Sequence, residues 1–507
     1  WLIAFAVVLY VLLCVSIFLM IRKVNDGHFV YSLDDPYIHL ALAEQIARGH
    51  YGINPGQAAS PSSSLLWPFL LAPFSRASWQ VYVPLGLNFL AGLITAGLLG
   101  WNVATWPGRR HGAEEWVRRT LSAGALVLIG NLAGLTFVGM EHTLQVLFAV
   151  CCAMGIIGCL QGRTVPNWCL VVAALGPMVR YENVGLSVAL AIALVGQKQW
   201  KRMTVMMTAS LVPLVAFSLF LRHLGLPMLP CSILVKAGQS GQLQGPVHHL
   251  LNAMAASWSA RSARGLLTMM FLTLAGLVCF ERDRVRRFAL AGAASAAGLH
   301  LLVGTFGWFH RYEVYIELFS ALVVLYVLHE RPREMLGWYV LGLLYCTTTS
   351  INILRDTSTS AHDVYLQQYQ MHRFATDFYH AGTGRAANVA VNDIGLVSYR
   401  RRPGQEAIDL YGLASVEAEQ QKNKSTAWLD SFTRAHDVGL VMIYQEWFAP
   451  PPSGWTELGK VCLINPPIQL AGDCVTYYAT TLAPVSMLRA EFSAFAKTQP
   501  AGVRVLF

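Results

Sequence analysis

Long apolar runs, spaced along most of the chain and separated by short charged joints, limit what this sequence can become more than any other feature. A helix needs about 20 apolar residues to cross the hydrocarbon core of a bilayer. Runs near that length lie at 1–21, 80–101, 120–139, 143–160, 167–180, 183–196, 204–221, 265–280, 288–306, 313–329 and 335–352. They predict about eleven transmembrane helices, a polytopic α-helical membrane protein. Composition agrees, since 55% of the 507 residues are hydrophobic and only 13% charged, a balance foreign to soluble globules and to disordered chains. The chain opens on Trp1, and the run 1–21 has no small-residue cleavage site, so it reads as a retained helix rather than a signal peptide, with a short native N-terminus expected to have been trimmed.

A formal net charge of +9 suggests nucleic acid in a soluble protein. Here the basic residues fall in short joints, where they report orientation, and no nucleic-acid partner is expected. Joints holding Arg109, Arg110, Arg118 and Arg119, then Arg163, then Lys198, Lys201 and Arg202, then Arg282, Arg284, Arg286 and Arg287, then Arg331 and Arg333 recur at every second turn. These are cytoplasmic by the positive-inside rule. The other joints, holding Asp34 and Asp35, Glu141, Arg180 and Glu182, residues 222–264, and Arg311 and Glu313, lie outside with everything after Asn352.

The apolar stretch Leu65 to Phe74 would reverse these sides if it crossed; it is short and carries Pro68 and Pro73, so it reads as an interfacial or re-entrant helix. The short runs 167–180 and 183–196 meet at Tyr181 and Glu182, which suits either a cavity near the outer leaflet or a tight helical hairpin. Two parts result: a membrane module over 1–354, with a first outer loop over 22–79, and an extracytoplasmic α/β domain over 355–507. The second part opens on an amphipathic helical pattern from about His362 to His380. The β-like runs NVAVND, EAIDLYG, VGLVMIY and CVTYYA follow, with a helical stretch near Ser425 to Arg434 between two of them. Cys462 and Cys474 lie close enough in sequence to bridge, which needs an oxidising compartment; two reduced structural cysteines are the alternative.

The chemistry is expected to centre on Asp34 and Asp35. Asp35-Pro36 reads as a helix start, with Asp35 as the capping acid, Gly49 as the stop, and Ile38, Leu42 and Ile46 as one apolar stripe that lays the helix on the membrane surface. Asp34 has no such local employment, and an acid free to take a proton is what a transferase needs to activate an acceptor hydroxyl. Arg180, Lys236, His310 and Arg311 fall at outer helix ends, where they suit a phosphate; lipid headgroups or ion pairs with Glu182 or Glu313 are the commoner fate of such residues. Glu141, His142 and Asp393 are weaker candidates, each also explained as a cap or turn residue. A divalent metal between Asp34, Asp35 and His39 suits the ligand types, but too few ligands are visible to claim one. No HExxH, P-loop, GxGxxG or GxSxG motif occurs, which leaves protease, nucleotidase and hydrolase readings without support.

These residues resemble the GT-C superfamily of polyprenyl-phosphate-dependent membrane glycosyltransferases, most closely its bacterial arabinofuranosyltransferase-like members. The resemblance rests first on the Asp-Asp pair, the run ending ARGHYGINPG and the Ser-Pro segment after it. Further matches are Gly139-Met140-Glu141, Arg180-Tyr181-Glu182, Gly225 to Lys236, Arg311-Tyr312, Asp393-Ile394-Gly395 and Asp409-Leu410-Tyr411-Gly412-Leu413. Tyr181, Cys231 and Val235 depart from that pattern.

The resemblance implies transfer of a sugar, arabinofuranose in the first instance, from a polyprenyl-phosphate donor to an acceptor hydroxyl on an envelope glycan or glycoprotein. The reaction would invert at the outer face of a bacterial inner membrane, with a first-loop Asp as base. Arg180, Lys236, His310 and Arg311 would hold the donor phosphate, and His39, Glu141, His142, Tyr181, Glu182 and Asp393 would line the substrate. Membrane lipids are the remaining partners. The rival readings are a lipid or glycolipid flippase, against which stands the lack of an inverted repeat, and a non-catalytic assembly partner.

Overall fold

The structure, a computed structural model, describes residues 1–107, 112–239, 263–329, 332–380 and 387–507. It is mostly helical, and a six-stranded sheet domain closes the chain. Among the described residues six helices are long and apolar enough to cross a membrane: α1 (Leu2–Val24), Gln80–Ala104, Ala113–Val138, His142–Leu160, Trp200–His223 and Ala263–Phe280. Asn167–Val179, Tyr181–Gly196 and Val314–Leu328 are apolar but shorter. Arg284–Val303 begins with Arg284, Arg286 and Arg287 in its first turn. The last expected run is overshot: Pro332–Tyr345 continues through a wide π turn, Cys346–Ser350, into the polar helix Ile351–Leu366, which carries the chain into the sheet domain. Asn131, at φ 40°, breaks the expected span 120–139 into Ala113–Ile129 and Leu132–Val138.

Helix packing is close enough in places to require glycine. A Cβ on Gly100 would lie 2.6 Å from the Leu2 carbonyl oxygen, so α1 and the helix Val83–Ala104 meet backbone to backbone. Charged residues at the joints are tied to neighbouring joints and helix ends. Arg119 donates to the Trp106 carbonyl, Arg202 to that of Val165 and Arg286 to that of Leu160. Asp35 meets Arg311, Glu141 meets Arg180, and the Cys231 amide donates to Ser60. Arg109, Arg110 and Arg331 lie outside the described residues.

The sheet is built from β1 (Asn388–Val391), β2 (Ala407–Asp409), β3 (Val438–Ile443), β4 (Thr456–Leu463), β5 (Cys474–Ala479) and β6 (Val503–Leu506), in the order β2-β1-β3-β5-β4-β6. β1 runs parallel to β2 and β3, and the remaining pairs are antiparallel. All six residues of β3 are buried, as a strand covered on both faces requires. Four strands and the helix Thr426–Ala435, capped by Ser425, follow the sequence pattern; β4, β6 and the helix Val485–Ala496 have no counterpart in it. Cys462 and Cys474 form a disulfide between β4 and β5.

One expectation about the first outer loop is overturned. Helix α2 (Asp35–Ile46) does not lie open on a membrane surface, because the residues Pro36 to Ala43 and Gln45 are all buried. Ile38 and Ala41 enter the core of the sheet domain with Phe374, Val389 and Val391, while Leu42 packs with Tyr51, Leu65, Phe217 and Leu221 of the bundle side. Its three predicted stripe residues therefore serve different neighbours, and the helix acts as the spacer between the two parts. The stretch from Leu65 to Phe74 forms a short helix, Trp67–Leu71, followed by a tight turn. Truncating Ile38 to Ala removes apolar volume from the sheet-domain core at its contact with α2, at a cost of about 2–4 kcal/mol. The expected result is a lower melting temperature together with faster proteolysis within 355–507; an unchanged cleavage rate in the purified variant counts against α2 as the spacer.

Candidate functional site

The chain leaving α1 is fixed before it reaches the acids. The Ser32 amide donates to the Phe137 carbonyl, the Ser32 hydroxyl to that of Thr357, and the Ser360 hydroxyl to that of Ser32. Asp34 then takes the N-cap position of α2, but its side chain makes no cap bond. Its two oxygens accept the backbone amides of Gly395 and Leu396, at 2.7 and 2.8 Å. Both expectations for the pair are corrected: Asp35 is the first helical residue rather than the cap, and Asp34 is fully employed by a segment about 360 residues away in sequence. The approach depends on glycine. A Cβ on Gly395 would fall 2.2 Å from the Asp34 carbonyl oxygen and 2.3 Å from Oδ2, which gives the third position of Asp393-Ile394-Gly395 its physical reason.

Asp35 instead faces Arg311, 2.6 Å from Nη1, and keeps 31% of its side chain exposed. Asp393 lies on the same side, where its carboxylate accepts from Gln368 Nε2 at 2.9 Å and from the Tyr444 hydroxyl at 3.2 Å. Three carboxylates thus gather where the loop after α1 meets the loop after β1. Burial pushes the Asp34 carboxyl well above the ordinary carboxylate range, and the Asp393 charge pushes it the same way, against the pull of the two amides. Burial likewise raises Asp393; the Gln368 hydrogen bond opposes this and the Asp35 charge adds to it.

The cations are buried and already paired. Arg180, 3% exposed, meets Glu141 at 2.7 Å and Glu182 at 2.9 Å, with His142 Nε2 at 3.1 Å. Its Nε also reaches Glu182, so a phosphate bound there must displace a carboxylate. Arg311 is 2% exposed and donates to the Tyr312 hydroxyl at 2.9 Å as well as pairing Asp35. Both guanidiniums lie near the Tyr312 ring, 5.4 and 4.9 Å from its centroid, so one aromatic links the two ion pairs. His39 reaches Glu141 at 3.8 Å through Nε2, and its Nδ1 lies 3.2 Å from the Ser62 hydroxyl. Tyr181 packs with the Tyr51 and Phe217 cluster instead of joining this network. Lys236 falls on the helix Cys231–Gln239, with its side chain outside the described set.

His310 stands apart. It is 28% exposed, pairs with Glu313 at 2.8 Å, and ends a run of four left-handed residues: Gly307, Trp308, Phe309 and His310, at φ 87°, 48°, 69° and 52°. Three successive non-glycine residues in that region cost backbone energy that the surroundings must offset. Glu313 supplies part of the support, since both its oxygens accept the Gly307 amide, at 3.0 and 3.2 Å. Among the described residues no three His, Cys, Asp or Glu side chains converge in a metal-holding group.

Several participants have no local sequence signal. Gln368 and Tyr444 reach Asp393 from a helix and a strand end, and Glu313 reads as a helix-end acid. The one available signal was the glycine after Asp393-Ile394.

A family model described as "Domain of unknown function (DUF8728)" matches residues 359–478. The match covers the second half of the polar helix after the bundle, β1 to β4 and most of β5, and includes Asp393 and Gly395. No curated protein matches the chain.

Two outcomes are expected. Gly395→Ala forces the Asp34 clamp apart at a cost of about 1–3 kcal/mol, and the amides of residues 395–396 then exchange with deuterium faster than in the wild type. For Asp34 and Asp393, a proton held more tightly in the fold than in the unfolded chain adds stability that is present at low pH and lost as pH rises through the raised values. Melting temperature should therefore fall as pH rises above the ordinary carboxylate range, and Asp393→Asn, by removing one of the two raised carboxyls, should flatten that fall. A variant profile that parallels the wild type argues against Asp393 as a source of that pH dependence.

Proposed function

We propose that the protein is a membrane glycosyltransferase of the GT-C kind, with about eleven spans and its acid site and sheet domain on the extracytoplasmic side of a bacterial inner membrane. It would transfer a sugar, arabinofuranose in the first instance, from a polyprenyl-phosphate donor to a hydroxyl of an envelope glycan or glycoprotein. One observation carries the reading. A half-buried carboxylate, Asp35, is held at 2.6 Å by a buried arginine, beside two further acids, where the apolar helices meet the sheet domain.

A reaction of this kind needs a base for the acceptor hydroxyl and positive charge for the departing lipid phosphate. Asp35 retains exposed surface to receive a hydroxyl proton, whereas both oxygens of Asp34 are spent on backbone amides. Asp35 is therefore the base in this proposal and Asp34 the residue that positions it, which reverses the preference drawn from local sequence. Arg311 is the cation nearest the base, and His310, more exposed, is already paired with Glu313. The Cys462–Cys474 disulfide suits an oxidising, extracytoplasmic side.

The test is transfer from a synthetic polyprenyl-phosphate arabinofuranose to an oligosaccharide acceptor by the full chain in nanodiscs. Asp35→Asn should lower kcat by roughly 100-fold or more when assayed at a temperature where the variant is still folded, although it leaves Arg311 without its carboxylate, whereas Asp34→Asn should also loosen the sheet domain. Full transfer by Asp35→Asn removes Asp35 as base. Substrate flux across proteoliposomes without covalent turnover replaces the transferase reading with a flippase.

A further inference from the structure

Behind the left-handed turn lies a cavity of about 330 Å³ that the acids described above do not line. Its walls come from three separate parts of the chain. Trp308 and His310 belong to the turn, Thr348 to the π turn, Asn352 and Asp356 to the helix that enters the sheet domain, and Gln469 to the disulfide-closed loop between β4 and β5. That loop is pinned in place where the Ile468 amide donates to Asp363 at 2.8 Å. The volume falls within the roughly 300–1,000 Å³ common to small-molecule pockets.

The cavity and the acid site share a wall. Phe309 and Ile353, which line the cavity, pack in one apolar cluster with Leu33 and Met140. Leu33 directly precedes Asp34, and Met140 directly precedes Glu141. The next residue after His310 is Arg311, the partner of Asp35.

The lining also states what would bind. Among the described residues no lysine or arginine lines the cavity, and His310 already faces the Glu313 carboxylate. Asp356, half-buried, makes no hydrogen bond or ion pair among the described residues, and an unpaired carboxylate repels phosphate and other anions. What remains is an array of hydroxyl, amide and carboxylate groups able to donate and accept, next to a tryptophan ring that is 52% exposed. A neutral cyclic polyol, apolar on its C–H face and hydroxylated at its rim, complements both features.

We infer that this cavity is a carbohydrate subsite that holds a neutral sugar unit, with Trp308 as its stacking platform and Asp356, Asn352 and Gln469 as its hydroxyl partners. Calling that sugar part of the acceptor rests on the transferase reading; the binding itself does not. The left-handed turn then has a use, since it presents the Trp308 ring to the cavity while its end places Arg311 on Asp35.

The experiment is saturation-transfer NMR with isothermal titration on the full chain in nanodiscs, using an α-linked arabinofuranosyl hexasaccharide, maltohexaose and inorganic phosphate as probes. At least one neutral oligosaccharide should bind, and phosphate should not compete for it. Trp308→Leu and Asp356→Ala should each weaken the binding about tenfold, Trp308→Phe should recover most of it, and Asp35→Asn should bind as the wild type does. In the transfer assay the two cavity variants should raise the acceptor KM with little change in kcat. Wild-type oligosaccharide affinity in both cavity variants, absence of oligosaccharide binding, or competition by phosphate each overturns the inference. Retained transfer by Asp35→Asn, with cavity binding intact, would strike the catalytic proposal and leave the subsite standing.

Discussion

The contact between the Asp34 carboxylate and the amides of Gly395 and Leu396 determines how the two parts of this chain can be related. Two backbone amides converge on one buried carboxyl at the start of α2, and a buried polar group left without such partners costs about 1–3 kcal/mol. The same contact denies a side chain to residue 395, so a methyl group there would separate the parts. Around it the apolar packing is continuous: Ile38 and Ala41 of α2 belong to the sheet domain's core, and Tyr37, Leu40 and Ala43 pack with Val364, Leu396 and Tyr399. The sheet domain and α2 share one interior, so the acids at the start of α2 are held from both sides.

Burial of charge at this junction follows a consistent rule. Arg180 and Arg311 lie almost wholly out of water, and each has a carboxylate within 2.7 Å. Removing one partner from such a pair costs about 3–5 kcal/mol, because the other is left buried and uncompensated. Arg180 has two acids and Arg311 one, with Tyr312 between them. The surplus of acid on Arg180 makes it the more structural of the two. The surplus of carboxylates around Arg311, with Asp34 and Asp393 close by, leaves negative charge that a proton can neutralise.

Much of the helical part was legible because a run of about 20 apolar residues has few other fates. Legibility failed where a residue's role is set at a distance. Asp34 and Asp35 were assigned one position out of register: Asp-Pro reads as a cap signal, yet the amides of Gly395 and Leu396 hold Asp34 at the cap position, and Arg311 engages Asp35. Helix α2 carries an amphipathic stripe that suits a membrane surface, and only the arrival of the sheet domain explains why its other face is apolar as well. Strand β4 escaped notice because Gly459 and Lys460 interrupt its alternation, and β6 because it is a four-residue edge strand. The four strands that were legible include β1 and β3, whose unbroken apolar runs befit parallel neighbours at the centre of a sheet.

The three gathered carboxylates differ by environment rather than by kind, and this difference assigns their work. Asp34 accepts two backbone amides, Asp393 is held by an amide and a phenol, and Asp35 meets Arg311 and keeps 31% of its side chain exposed. A base that must collect a proton from a diffusing hydroxyl needs to be reachable, which favours Asp35. On the transferase reading, Asp34 and Asp393 therefore hold the sheet domain against the start of α2, and that docking keeps Asp35 against Arg311 while leaving part of its side chain reachable from outside.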